Sequence, residues 1–338
     1  MKKSLFFVAT AALVLASCSN DVTLDENTAL AGQPQEITFS TYAQTPKRIV
    51  RRAPIANTTF PEIGMQVAAY KVNGAGGADF FGATPFSKDG ETWKGGKYWP
   101  LEVATVNFLA IANANANNTT GVTWDGTHPA SQVVVVMSDN HSEQRDLMYA
   151  IGAGSVTKPS STLVFPTSVT MPFQHAQAWM DFKVKANSST EEAITINSIT
   201  LKGAKYAGTY TITHTDYNLT TGHTVAGAWT ALGGAQNVVV PNWTADALTT
   251  DFVQVGNGLL IVPDDNDGTA DWSTFVINYT LDGITYDYEY TPSASAANVD
   301  QAKHYVFNIT FKLHEIEIAP TVTAWTDGST TAVTIPEE

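Results

Sequence analysis

Two short stretches carry residue types that invite chemistry. The first is Leu15-Ala16-Ser17-Cys18, which follows a charged start at Lys2 and Lys3 and an apolar run from Leu5 to Leu15. The run is too short to span a bilayer as a helix, and the order of the three parts is that of a secretory signal. A small-residue pair ahead of a cysteine has the pattern of a lipobox, in which the thiol is acylated and the cysteine becomes the first mature residue. Cys18 is the sole cysteine among 338 residues, so disulfides, thiolate-held zinc and a cysteine nucleophile are not expected in the mature chain. The second stretch is Lys47-Arg48-Ile49-Val50-Arg51-Arg52, the one basic cluster of an acidic chain; the only other arginine is Arg145. Exposed basic chain of this kind is what a trypsin-like protease cuts.

Elsewhere the search for catalysis is negative. The chain has no G-x-S-x-G, H-E-x-x-H or Walker pattern, and Gly74-Ala75-Gly76-Gly77 lacks the third glycine and the strand–helix context of a dinucleotide fingerprint. Asp264-Asp265-Asn266-Asp267-Gly268 fails as an EF-hand: Pro263 stands at the first ligand position and Thr274 where a bidentate Glu belongs. The seven histidines, including His175, His304 and His314, show no ligand spacing, so neither a cofactor nor a metal is expected. Eight tryptophans and twelve tyrosines would suit a glycan-stacking face but suit strand packing better. No enzyme is expected.

The elements around the two stretches are strands. Just ahead of the basic cluster, Ile37 and Phe39 alternate with Thr38 and Ser40, the pattern of a half-buried strand. A strand with core-facing residues is therefore followed at once by a cleavable segment. Further strands are expected over Ile63–Val72, Val103–Ile111 and Asp146–Ala150, with a fully buried one over Gln132–Met137 and a loop over Gly152–Ser161. Val169–Ala186 reads as one long run, and Ala193–Leu201 slips phase at Asn197-Ser198, which predicts a β-bulge. Asp282-Gly283 predicts a type I′ hairpin pairing Leu281 with Ile284 and Tyr279 with Tyr286. Thr330–Ile335 is a last short strand, about 20 Å long, that presents Val333 and Ile335 on one side.

Many strands of five to ten residues, broken by turn signals, argue for an all-β chain of two tandem antiparallel β-sandwich domains. The expected division is a signal peptide over 1–17, a tether over 18–35, an N-terminal sandwich over 36–165 with cleavage segment 47–52, and a C-terminal sandwich over 166–338. Loss of Lys2 and Lys3 with the signal takes the formal charge from −14 to −16, which disfavours a nucleic-acid partner. Lipid on Cys18 would place the precursor on a membrane surface.

Taken in order, Cys18, Ile37-Thr-Phe-Ser40, the arginines after it, Lys97-Tyr-Trp-Pro100, Asp146-Leu-Met-Tyr149, Pro172-Phe-Gln-His175, Leu259-Leu-Ile-Val-Pro263, Lys303-His-Tyr305 and Trp325 resemble the fimbrillins. These are the FimA- and Mfa-type pilins of Bacteroidota, which form type V pili. The resemblance implies two transthyretin-like domains, a lipoprotein precursor at the outer membrane, and a structural subunit, stalk or accessory, of a surface fimbrium. It implies removal of the first strand, with Ile37 and Phe39, by an arginine-specific protease at Arg48, Arg51 or Arg52. Cuts after Arg48 and after Arg52 both fit. It further implies that a C-terminal strand carrying Val333 and Ile335 from another pilin subunit refills the groove. The alternative is a glycan-binding β-sandwich lipoprotein that stays lipid-anchored; the N-terminus of the surface protein separates the two.

Overall fold

The computed structural model describes residues 34–43, 64–72, 78–113, 122–124, 130–187, 193–213, 227–231, 234–241, 246–263, 269–293, 297–312, 315–324 and 333–334. Among them the regular structure is strand, apart from one 3-10 turn at His141–Glu143. The first part holds β1 (Glu36–Ala43), β2 (Met65–Val72), β3 (Ala78–Asp89), β4 (Thr92–Tyr98) and β5 (Ala104–Asn113). It continues with β6 (Val122–Trp124), β7 (Ala130–Val136), β8 (Leu147–Val156) and β9 (Val169–His175). The second part holds β10 (Ala178–Ala186), β11 (Ile194–Ala204), β12 (Ala207–Thr213), β13 (Gly227–Ala231), β14 (Gln236–Pro241) and β15 (Val253–Ile261). After these come β16 (Thr274–Leu281), β17 (Ile284–Tyr290), β18 (Lys303–Lys312), β19 (Glu315–Ala324) and β20 (Val333–Thr334).

The expected all-β, largely antiparallel fold is what the chain adopts. Seven strands close on themselves in the order β1-β4-β3-β2-β5-β8-β9. Their inward residues, among them Ile37, Phe39, Phe86, Trp93, Phe108 and Phe173, form one apolar core. A five-stranded sheet, β15-β10-β18-β19-β20, faces a four-stranded one, β14-β11-β16-β17, over a second core around Phe182, Trp272, Phe275 and Phe307. A further sheet, β13-β12-β7-β6, takes strands from both parts. Its Val133, Val135, Tyr210, Ile212 and Trp229 pack with Leu109, Ile111 and Tyr149 of the barrel's outer face, and with Trp179, Leu260 and Val262 behind the five-stranded sheet.

Several local expectations meet their reasons here. The bulge in β11 lies between Ile196 and Ser198. Asp282 and Gly283 both take positive φ (50° and 78°), as a type I′ turn requires, and Leu281 pairs with Ile284 and Tyr279 with Tyr286. Gln132–Met137 is not fully buried: Val133, Val135 and Met137 are, but Val136 is half exposed, because β7 lies in a sheet with one solvent face. Val169–Ala186 is not one run. It breaks at Ala176-Gln177, where the buried Gln177 side chain accepts from the Leu147 backbone at 2.7 Å and donates to the Arg145 carbonyl at 2.9 Å. β9, which follows the boundary expected at 165/166, pairs with β1 and β8, while β10 joins the five-stranded sheet.

The loop expected from Gly152 is also corrected. β8 runs on to Val156, and its glycines mark close approach rather than a turn: a Cβ on Gly152 would meet Met171, Val169 and the Thr170 carbonyl, and one on Gly154 would meet Trp99. Gly152→Ala is accordingly expected to destabilise the fold by about 1–3 kcal/mol, the cost of overpacking a tight core. Urea unfolding of the purified protein measures it; an unchanged midpoint would mean that β9 yields without cost.

Candidate assembly site

The site grows from β1. Alternation sends Ile37 and Phe39 inward, and both are fully buried. The Phe39 ring meets Phe86 and Phe108 edge-on, each at 5.0 Å between centroids. This geometry adds to burial because ring edges and faces carry opposite partial charge. Thr41 accepts a hydrogen bond from the buried Trp93 indole Nε1 at 2.7 Å, so a polar tip inside the core is satisfied by β1 itself. On the outer side Thr38 donates to the Thr167 carbonyl at 2.8 Å, and the Gly96 amide donates to a Glu36 carboxylate oxygen at 3.1 Å.

The backbone of β1 bridges two strands that are otherwise not neighbours. It runs antiparallel to β4, with Phe39 opposite Trp93, and parallel to β9, with Phe39 to Ala43 beside Val169 to Phe173. Without β1, β4 and β9 would each present an unpaired edge, and an apolar groove the width of one strand would lie between them. Sequence reasoning found β1 but neither of its partners. The run that contains β9 is legible, but pairing across some 130 positions leaves no local signal.

The remaining expected site residues fall elsewhere. Cys18, Arg48, Arg51, Arg52 and Ile335 lie outside the described residues, as does Asp264–Gly268. Val333 belongs to β20, which pairs with Thr321 and Val322 at the edge of its own five-stranded sheet. Among the described residues no group of three His, Cys, Asp or Glu side chains gathers as a metal site would need. His175 Nδ1 lies 2.8 Å from Asp146, both fully or nearly buried, where β8 begins and β9 ends. His304 stacks on Trp179 at 4.0 Å and contacts Asp181 at 2.9 Å, tying β10 to β18. Both pairs are structural fastenings. Burial pushes the Tyr149 and Tyr210 phenols upward, and so keeps them neutral. Trp93, Trp99, Trp179, Trp229 and Trp272 are all buried, which assigns them to packing rather than to a glycan-stacking face.

Fold and site together define an all-β protein whose polar interior groups hold strands in place. The sequence profile described as fimbrillin-like matches residues 53–325, and the chain belongs to that family. Membership makes it a pilin-like structural subunit of a cell-surface fimbrium rather than an enzyme. Among solved structures, a fimbrial protein from Bacteroides vulgatus ATCC 8482 is 14% identical, with 86% of this chain and 99% of that one covered and a TM-score of 0.51. A fimbrial assembly protein from Parabacteroides distasonis ATCC 8503 is 12% identical, covering 89% of this chain and 100% of the other, with a TM-score of 0.43. At 14% identity the likeness to the Bacteroides vulgatus protein is one of fold. No curated protein sequence matches the chain significantly.

Proposed function

We propose that the chain is exported as a lipoprotein, anchored in the outer membrane through Cys18, and cut by an arginine-specific protease at Arg48, Arg51 or Arg52. The cut releases β1. A neighbouring subunit then supplies its C-terminal strand, whose Val333 and Ile335 take the places of Ile37 and Phe39. On this reading the barrel part and the facing-sheet part are two units fastened by the shared four-stranded sheet.

One observation carries the reading. β1 fills core positions, yet it is the first strand among the described residues, and the chain passes from it to the rest of the barrel through residues 44–64, which hold the basic cluster. A single cut there turns an integral strand into a bound peptide. The protein extracted from cell surfaces is therefore expected to begin just after one of the three arginines, as read by N-terminal sequencing. A mature chain beginning at Cys18 would instead mean that β1 is permanent.

The anchor has its own test. Metabolic labelling with a fatty-acid analogue should mark the precursor, and Cys18→Ala should abolish the label. Equal labelling of the variant would remove the lipoprotein claim.

A further inference from the structure

The strand that leaves and the tail that replaces it read alike in opposite directions. β1 runs Ile37-Thr38-Phe39-Ser40-Thr41, and the tail read backwards from Ile335 runs Ile335-Thr334-Val333-Ala332-Thr331. Ile, Thr and Thr recur at matching places, Val stands for Phe, and Ala for Ser. Resting on the strand replacement proposed above, we infer that the tail of a second copy of this chain enters the groove opposite in direction to β1, and so lies parallel to β4 and antiparallel to β9.

Three features of the groove select that direction. The first is the inward hydroxyl. Reversed insertion puts Ile335 where Ile37 was, Val333 where Phe39 was, and Thr331 where Thr41 accepts from Trp93 Nε1. Insertion in the direction of β1, with Val333 and Ile335 in the same two pockets, brings Glu337 to that half-buried position instead.

The second is the proline. Reversed, Pro336 takes the place of Glu36, which lies outside the Phe39–Ala43 stretch paired with β9. In the forward direction Pro336 takes the place of Ser40, which lies beside Thr170 of β9 and next to the Phe39–Trp93 pairing with β4. A residue without a backbone N–H is tolerated at the end of a pairing and not between two strands.

The third is charge. Lys94 is held in its charged form chiefly by Asp89, 2.8 Å away, with a smaller contribution from Glu36, and only the second of these acids leaves with β1. Lys97 lies over the Phe81 ring at 5.4 Å and makes no ion pair among the described residues. Reversed insertion brings Glu337 and Glu338 to this end of the groove. At the other end Glu91 lies in the turn just ahead of β4, so forward insertion, whose acidic end points that way, would bring acid toward acid.

Paired cysteines in processed subunits read the direction, since Cys18 is absent once the N-terminal segment is gone. Reversed insertion sets Ala332 at the place of Ser40, opposite Thr92, and forward insertion sets it at the place of Glu36, opposite Tyr98; with Ala332→Cys and Thr92→Cys in one chain, fibres should therefore yield reducible ladders on non-reducing gels, and with Ala332→Cys and Tyr98→Cys they should yield none. Ladders from the second pair alone would overturn the direction and leave strand replacement standing. Ladders from neither pair, in fibres that still form, would overturn both. Where cysteines block assembly, ring-sized substitutions decide. Reversed insertion expects Val333→Phe to raise the temperature at which fibres dissociate in detergent, because that pocket held Phe39, and Ile335→Phe to lower it by overpacking the smaller one. The opposite ranking, or no shift for either, overturns the inference.

Discussion

A variant with Arg48, Arg51 and Arg52 all changed to Gln is expected to fold, reach the surface and remain a monomer. The substitutions leave Ile37 and Phe39 untouched in the barrel core, so the cost to the fold is small. Covalent attachment of β1, however, sets its effective concentration at its own groove far above that of a free tail. An incoming strand competes on equal terms only after the link is cut and β1 can diffuse away. The expected outcome is loss of detergent-resistant ladders together with an unfolding midpoint at least as high as that of the wild-type precursor. Ladders at wild-type level from the uncut variant would show that assembly does not require release of β1. Loss of ladders accompanied by a lowered midpoint would point to misfolding, and sedimentation of the purified monomer separates that case.

Phe39→Ala in the precursor is expected to cost about 3–5 kcal/mol, as for other fully buried aromatic side chains. The ring is fully buried and meets Phe86 and Phe108 at 5.0 Å, so its removal forfeits burial and two edge-on contacts at once. Against a typical domain stability of about 5–15 kcal/mol, a loss of that size brings the barrel close to the unfolding threshold. Processed subunits from which β1 has departed should be indifferent to the change, because the altered residue is no longer present. The contrast is measured by urea unfolding of uncut precursor beside the stability of assembled fibres. Equal effects in both would mean that β1 stays in place after assembly.

What the sequence determined by itself is local. Period-two alternation places Ile37, Phe39, Phe182, Phe275 and Phe307 on inner faces because side chains of a strand point alternately to its two sides. The Asp282-Gly283 hairpin and the bulge at Asn197-Ser198 are equally local, set by backbone conformations and phase over a few residues. The basic cluster and the place of Cys18 are visible as composition alone. Tertiary structure decided the rest. Gly152 and Gly154 read as loop residues until Met171 and Trp99 are seen filling the space a side chain would need. Gln177 divides what reads as one long run because its amide meets backbone groups some 30 residues away. β7 and β12 pair although they lie in different halves of the chain, and β1 pairs with β9 in parallel across some 130 positions. Alternation is the same whichever strand lies alongside and whichever way it runs. Partner and direction are therefore set only when the chain closes on itself and edge meets edge.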